Sequence, residues 1–357
     1  MNSKTDILRQ ILAGGVSLPP ATLRPVESEP EGMECMCPDV VMEASWGGQT
    51  TRFSVQINGL ATPKALRQTI ALARDAATPP ETYPMLVVPY LSPDKLDALA
   101  SAEVSGVDLC GNGVLIVPGR MLILRSGKPN KYPQSTRIRN VYRGKNSLVA
   151  RAFLIRPEFA QVKDIVDLLE QRRGRVAFST VSKALKRLEE DLVVSREGGA
   201  IRLLQADELL DKLVANYAPP IIREYYRGRC DLPVNEMLRR LSSTPLGKKQ
   251  KAAMTGAASA EKYAVTAREP VASVYSPIPP GELLEASGIV ARESRRFVNI
   301  EIMQTTDTRA FFDPRYEDGL PLASPIQTYL ELASGDKRQK DASEQVRRSI
   351  LASLSMT

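Results

Sequence analysis

The residues from 159 to 205 carry the most regular pattern in this chain of 357 residues. Between positions 159 and 171, apolar residues recur every three or four places with charged residues between them, which predicts an amphipathic helix. Arginines and Gly174 come next, as at a helix C-terminus where cations meet the negative end of the dipole and glycine takes the left-handed cap.

A second helix is predicted over residues 180–190. Ser179 or Thr180 can cap its N-terminus, and Val176 and Phe178 are expected to turn inward just before it. The apolar residues of this helix also recur at helical spacing, so they assign an inner face. The outer face then carries hydroxyl groups and cations.

Two short strands are predicted after the second helix, over residues 192–195 and 200–204. They flank the sequence Arg196-Glu197-Gly198-Gly199, in which adjacent glycines supply the positive φ angles that a tight hairpin needs. Helix, basic turn, helix and hairpin together have the outline of a winged helix-turn-helix. We therefore expect a winged-helix domain in this part of the chain.

A winged helix makes DNA the expected partner. Its second helix enters the major groove with its N-terminal residues towards the bases, while cations neutralise phosphates. The alternative is a module used only for packing or protein contact, with a solvated basic face. The candidate DNA-binding residues are Arg172, Arg173, Arg175, Ser179, Thr180, Ser182, Lys183, Lys186, Arg187 and Arg196.

A second basic feature precedes this module, because residues 120–145 contain no acidic residue. Such a run could follow a phosphate backbone beside the winged helix, or it could be a solvated linker whose charge aids solubility. The candidate DNA contacts in the run are Lys128, Lys131, Arg137, Arg139, Arg143 and Lys145.

The amino-acid composition favours an anionic partner and excludes several kinds of catalytic and metal site. Lys and Arg number 48 against 41 Asp and Glu, a net charge of +7 that suits an anionic partner. The chain has no histidine, which excludes Ser-His-Asp and Cys-His catalysis within the chain and any histidine-ligated metal. Its four cysteines are too few and scattered for a disulfide scaffold, and it has no phosphate-binding glycine loop. We expect no metal and no cofactor.

The expected location is cytoplasmic. An apolar run of about 18 residues, long enough for a membrane span, does not occur. The first residues are polar and lack the apolar core of a signal peptide. No membrane partner is therefore expected.

The remaining pattern predicts three domains, over residues 1–145, 146–213 and 214–357. In the first, a Pro- and Glu-rich connection at 19–32 leads into alternating strands and helices, which indicate an α/β domain. The third is also predicted to be α/β, with helical segments at 223–229 and 234–241, and strands that include residues 310–312.

Several strings resemble one family of bacterial regulators, the AbiEi-type antitoxins of type IV toxin–antitoxin systems. The resemblance runs from about residue 40 to the C-terminus and implies a DNA-binding winged helix, a C-terminal part of nucleotidyltransferase-like shape and repression of transcription. It also implies a possible cognate toxin partner, and a homodimer would suit two DNA half-sites. The strings are LVVPYL (86–91), GVDLCGNG (106–113), SLVAR (147–151), STVSK (179–183), TGAASA (255–260) and SPIQTYL (324–330).

The N-terminal part resembles a restriction-endonuclease-like fold. Active members need an acidic residue on one strand and an E-x-K on the next, which hold Mg²⁺ and activate water. Here the second strand reads Gln56-Ile57-Asn58, so neither the carboxylate nor the lysine is present. We expect a catalytically silent, nuclease-like domain. The alternatives are a Mg²⁺-dependent nuclease that uses Glu43 and Asp108, or a non-catalytic adaptor in a defence or plasmid system.

The C-terminal part contains Asp307, Asp313 and Asp318. A nucleotidyltransferase needs paired carboxylates one residue apart on a strand beside a Gly-Ser turn, and these three do not provide that pair. We expect them to be loop and cap carboxylates, and we expect the chain not to be an enzyme.

Overall fold

The computed structural model describes residues 4–26, 38–74, 81–132, 140–244, 252–265, 271–317 and 320–355. The chain divides into two compact units, Met1–Arg137 and Ile138–Thr357. The division between these two units lies near the expected boundary at 145. The segment expected to be a winged helix and the C-terminal segment belong to one unit. Within the described residues, no helix is long and apolar enough to cross a membrane.

The first unit is built on an eight-stranded sheet whose strands follow chain order. The pairs β4–β5 and β5–β6 are parallel and the others are antiparallel. The strands are β1 Val16–Leu18, β2 Ala21–Pro25, β3 Val40–Trp46, β4 Gln49–Ile57, β5 Thr82–Val88, β6 Ser105–Asp108, β7 Gly113–Val117 and β8 Met121–Arg125; the helices are α1 Lys4–Gly14, α2 Pro63–Arg74 and α3 Pro93–Ser101.

Both faces of this sheet are covered, which explains the continuous apolar run at residues 85–88 of β5. One face packs on α1 through Ile7 and Ile11, and the other packs on α2 and α3 through residues such as Leu66 and Leu96. A strand buried on both faces is apolar at every position. The helices α2 and α3 connect successive parallel strands, as parallel pairing requires.

The strand β2 lies where we expected a Pro- and Glu-rich connection. Its Leu23 is buried, and the strand pairs with β3 over Thr22–Ser45 to Pro25–Met42. Pairing with β3 over four positions satisfies its backbone groups, so tertiary contact outweighs the weak strand preference of its proline.

The second unit begins with a helix, a short strand, two helices and a hairpin. The three strands form an antiparallel sheet in the order β10-β11-β9. The elements are α4 Ser147–Phe153, β9 Glu158–Phe159, α5 Val162–Gln171, α6 Phe178–Glu190, β10 Val194–Glu197, β11 Ala200–Leu203 and α7 Ala206–Ala215. The predicted helix at 159–171 is therefore shorter, because Phe159 pairs with Ile201 in the sheet.

A seven-stranded mixed sheet follows, in the order β15-β12-β16-β14-β13-β18-β17. Its strands are β12 Glu224–Arg229, β13 Ala253–Met254, β14 Ala272–Ser276, β15 Arg292–Glu293, β16 Ile300–Gln304, β17 Arg315–Glu317 and β18 Leu320–Leu322. The accompanying helices are α8 Val234–Ser243, α9 Gly256–Tyr263, α10 Pro280–Ser287, α11 Pro325–Ala333 and α12 Lys337–Leu354.

Two secondary-structure predictions in this region are wrong. Residues 224–229 form strand β12 rather than a helix, because they pair with β16 along most of their length. Residues 310–312 are a turn rather than a strand. Ala310 pairs with no strand among the described residues; its amide donates to the carbonyl oxygen of Asp307, and the Phe311 amide donates to the carbonyl oxygen of Thr308.

One hydrophobic core joins the two parts of the second unit. Apolar residues of α4 to α7, among them Phe153 and Leu185, belong to the same cluster as Tyr329 of α11 and Val346 of α12. The polar side chain of Arg151 also reaches across, and its Nη1 donates to Gln327 Oε1 at 2.8 Å. Because the core is continuous, the unit does not divide at the expected boundary near residue 213.

Candidate nucleic-acid interface

Helix α6 has two chemically distinct faces. Val181, Ala184, Leu185 and Leu188 recur at helical spacing and are fully buried. On the other side, Lys183 and Lys186 are exposed. These two lysines stand three residues apart and are therefore neighbours on the helix surface. Within the described residues, neither lysine forms an ion pair, so both charges remain available to an anionic partner.

The N-terminus of α6 differs from the prediction. The helix starts at Phe178, its N-cap is Ala177, and no side chain caps it, so Ser179 and Thr180 lie in the first turn instead. Val176 enters the core as predicted, whereas Phe178 is 57% exposed. The Thr180 amide donates to the Ala177 carbonyl at 2.8 Å, so within the described residues the amides of Phe178 and Ser179 are the ones left for solvent or for a phosphate oxygen.

Of the smaller predicted contacts, Ser179 is exposed, and Thr180 and Ser182 are half-buried. All three lie in the first turn and a half of α6. Arg175, in the turn before the helix, is exposed. Together with the lysines, they place hydroxyl groups and cations around the N-terminal half of one helix.

Arg187, by contrast, is held within the protein. Its guanidinium lies 3.1 Å from Asp191 Oδ1 and 3.5 Å from Glu190 Oε2. The same Asp191 accepts a hydrogen bond from the Tyr142 hydroxyl at 2.8 Å. Burial, together with Asp191, raises the pKa of Tyr142 far above its usual value, so the hydroxyl keeps the proton that it donates.

Arg172 and Arg173 are also engaged inside the unit. Arg172 Nη1 lies 2.9 Å from Asp313 Oδ1, and its carbonyl accepts from the Asp313 amide at 2.9 Å. Arg173 Nη2 donates to the Tyr316 hydroxyl, and its guanidinium lies 5.8 Å from the centre of that ring. These two arginines thus hold the turn after α5 against the segment at 312–316.

The left-handed residue of this turn is Arg173, with φ +68°, and not Gly174 as predicted. Glycine is needed at 174 for a different reason: a Cβ there would lie 2.9 Å from two ring atoms of Phe312. The close approach of the Phe312 ring, rather than the backbone conformation, therefore requires glycine at position 174.

The hairpin after α6 turns at Gly198 and Gly199, with φ values of +62° and +78°, as predicted. Arg196 is exposed near its tip, and its Nε lies 3.8 Å from Glu189 Oε2. At that distance, and with both side chains partly exposed, the ion pair is weak, so the charge of Arg196 can still meet an external anion.

The acid-free run is divided between the two units. Arg143 and Lys145 are exposed; Arg143 precedes a short 3₁₀ turn, Gly144–Asn146, which contains Lys145 and packs against α6. Lys128 and Lys131 belong to the first unit; both side chains are exposed, and the Lys128 amide donates to Asn112 Oδ1 at 2.8 Å. The predicted contacts Arg137 and Arg139 lie outside the described residues.

The two carboxylates of the nuclease alternative are placed apart. Glu43 in β3 faces Arg24 and Arg52 across the sheet, whereas Asp108 ends β6. The strands β4 and β5 separate them, which corresponds to roughly 14 Å at the usual strand spacing of about 4.8 Å. One metal ion cannot bridge carboxylates at such a separation.

Asp108 is fully buried and already satisfied. Its Oδ1 accepts from the amides of Cys110 and Asn112 at 2.8 and 2.7 Å, and its Oδ2 accepts from the Leu91 amide at 2.9 Å and from Asn112 Nδ2 at 2.8 Å. A metal ion would have to displace these donors. The carboxylate organises the turn between β6 and β7.

The carboxylates of the C-terminal part are likewise bound by arginines. Asp307 accepts from Arg309, and Asp313 from Arg172 and Arg315; Asp318 lies outside the described residues. In the described part of the chain, no three potential ligands cluster as a metal site.

No protein-family model, no curated protein and no solved structure matches this chain.

Proposed function

We propose that this chain is a sequence-specific double-stranded DNA-binding transcriptional regulator, and that residues 147–203 act as a winged helix with α6 in the major groove. The order helix, strand, helix, helix and hairpin supports this proposal, as does the three-stranded sheet. The observation that carries it is the outer face of α6, where Lys183 and Lys186 are exposed and form no ion pair within the described part of the chain, whose side chains also leave the helix N-terminus uncapped.

The structure refines which residues would act. Lys183, Lys186 and Ser179 can reach DNA without breaking an internal bond, and Arg143 and Lys145 are exposed at the 3₁₀ turn that packs against α6. Arg172, Arg173 and Arg187 have intramolecular partners, so in this proposal they position the helix rather than touch phosphates. We also propose, as part of the same function, that the protein represses transcription in the cytoplasm, binds a cognate toxin and forms a homodimer.

A direct test uses the double variant Lys183→Ala/Lys186→Ala. Duplexes that the wild-type protein selects from a randomised library would be tested by gel retardation at several salt concentrations. Each lost phosphate contact lowers the steepness of the plot of log affinity against log salt by about 0.9. The slope should therefore fall by about 2, and the affinity advantage of the wild type should shrink about tenfold between 50 and 200 mM salt.

The matched control is Lys337→Ala/Lys340→Ala, which removes the same charge from exposed positions of α12. This control should retain the wild-type slope. Equal binding by the α6 variant and the control would refute the assignment of α6. A wild-type protein that selects no duplex but retains a protein partner would favour the adaptor alternative instead.

A further inference from the structure

Strand β12 presents a second basic surface that the proposed DNA-binding helix does not use. Its residues Tyr225, Arg227 and Arg229 alternate along the strand and therefore share one face. Arg292 in β15 pairs opposite Arg229, so its side chain joins them. All four residues are exposed. We refer to these four residues and Phe297 as the β12 surface.

The opposite face of the same strands is covered by protein. There Ile300 and Ile302 of β16 belong to a core with Leu283 and Leu284 of α10. Helix α10 packs against both β12 and β16. The sheet therefore has one buried face and one face that is open at this edge, where a flat array of side chains meets solvent.

Charge on the open face is strongly positive. Glu301 lies opposite Arg227 on this face and is neutralised by it, with Arg227 Nε 3.0 Å from Glu301 Oε1. The phenol of Tyr225 adds no negative charge, because burial and Glu301 raise its pKa to about 12. Arg229 and Arg292 remain for an external anion, and the exposed Arg295 and Arg296 follow in the next loop.

Two aromatic rings stand among these cations. Tyr225 is 50% exposed, and the Arg227 guanidinium lies 5.9 Å from the centre of its ring. Phe297 is 84% exposed and has φ +53°, a conformation that strains a bulky residue. Arg229 Nη1 donates to the Phe297 carbonyl at 3.3 Å and helps to hold this loop. A strained backbone that keeps an aromatic ring in solvent indicates a binding role.

We propose that the β12 surface binds single-stranded nucleic acid. Arginines neutralise its phosphates, and exposed aromatic rings stack on unpaired bases, which every base permits because each has a π face. A duplex offers phosphates but keeps its bases stacked on one another, so Tyr225 and Phe297 would have no partner there. This combination of rings and arginines selects the single strand.

The first measurement is fluorescence anisotropy of labelled oligo(dT) of about 15 nucleotides, a length within usual site sizes. The full-length protein should bind the labelled oligo(dT) at low salt. A duplex of the same length should not displace the oligo(dT) from the β12 surface. Phe297→Leu keeps an apolar side chain but removes the ring, and should weaken binding roughly tenfold. Arg292→Ala/Arg296→Ala should weaken it and flatten the salt dependence, whereas Arg338→Ala on α12 should change neither.

The Phe297→Trp variant provides a direct readout of stacking. The only native tryptophan, Trp46, lies in the first unit and gives a constant background. Emission from the introduced tryptophan should be quenched by oligo(dT) and by oligo(U). A comparison of the two titrations shows whether the surface prefers DNA or RNA. Absence of quenching, or unchanged oligo(dT) affinity in Phe297→Leu, would overturn the proposal.

This surface and α6 are tested independently. Lys183→Ala/Lys186→Ala should lose salt-dependent duplex retention while it keeps oligo(dT) binding, and Phe297→Leu should show the reverse. Loss of oligo(dT) binding in the lysine variant, together with full binding by Phe297→Leu, would assign the single strand to α6 and contradict the β12 surface.

Discussion

Replacement of Asp108 with alanine is expected to lower the free energy of unfolding of the first unit by about 3–5 kcal/mol. The buried carboxylate accepts four hydrogen bonds, three from backbone amides and one from Asn112. Alanine leaves all four donors without their acceptor in a site from which water is excluded. Each buried unsatisfied donor costs about 1–3 kcal/mol, and relaxation of the turn recovers part of the sum.

Urea unfolding followed by Trp46 fluorescence measures this loss, because Trp46 ends β3 in the same sheet. The isosteric variant Asp108→Asn keeps one acceptor oxygen and should lose less stability than alanine. Asp97→Ala, at an exposed position of α3, should stay within about 0.5 kcal/mol of wild type. An alanine variant at position 108 as stable as this control would show that the bonds around Asp108 do not support the turn.

The same variants address the nuclease alternative. A structural Asp108 predicts a loss of stability and no change in the cleavage of plasmid DNA with Mg²⁺ or Mn²⁺. Cleavage by the wild-type protein that disappears in Glu43→Ala, a change at a half-buried position of β3, would instead establish a nuclease and contradict the proposed non-catalytic role.

Asp313→Ala is the second large effect, with an expected loss of about 3 kcal/mol from the second unit. Its fully buried carboxylate lies 2.9 Å from Arg172 and 3.1 Å from Arg315. Removal of one partner from a buried ion pair costs about 3–5 kcal/mol, but both arginines are more than a third exposed and can turn to water, which reduces this cost. Position 313 has φ +51°, which alanine tolerates less well than Asp or Asn. The backbone strain in the alanine variant therefore adds to the loss of stability.

Hydrogen exchange of the α5 and α6 amides should report this loss locally, because Arg172 and Gly174 connect α5 to the 312–316 segment. Duplex binding should weaken as well, since the turn before α6 loses its support. The exposed control Asp341→Ala on α12 should leave both readouts unchanged. Normal protection of α5 in Asp313→Ala would mean that Arg172 holds the turn without its carboxylate partner.

Asp313 also predicts a pH dependence. Burial raises the pKa of its carboxyl above the usual 3.8, against the pull of Arg315 and Arg172. The native state therefore keeps this proton to higher pH than the unfolded chain, and its contribution to the free energy of unfolding falls as pH rises through the native pKa. The advantage of wild type over Asp313→Asn should thus be largest near pH 3.8 and smaller at neutral pH. Urea unfolding of both proteins from pH 4 to 7 measures this difference, and an advantage that grows with pH would contradict it.

Local patterns were sufficient for part of the fold. The inner face of α6 and the hairpin at Gly198-Gly199 agree with their predictions, because helical spacing and positive φ angles act within a few residues. The apolar run in β5 also fits its burial, because helices cover both faces of that strand. For the proposed DNA contacts, the same local pattern identified Lys183 and Lys186, whose exposure follows from their position on the helix.

Contacts between distant residues decided the rest. Residues 224–229 could form either helix or strand until β16 supplied hydrogen-bond partners. Arg172 and Arg173 look like free cations in the sequence, yet their partners Asp313 and Tyr316 lie about 140 residues away. Val176 and Phe178 were both expected inside, but only Val176 enters the core and Phe178 stays exposed. The β12 surface depends on pairing between β12 and β15, which spacing along the chain cannot reveal.

The sequence by itself therefore determined that two helices and a hairpin lie between residues 159 and 205 and that α6 has a basic outer face, since periodicity and turn chemistry are local. Only the tertiary structure decided which cations remain free, where Asp108 and Asp313 find their partners, and which aromatic rings stay in solvent. The physical reason is that burial and ion pairing depend on which distant segments pack together.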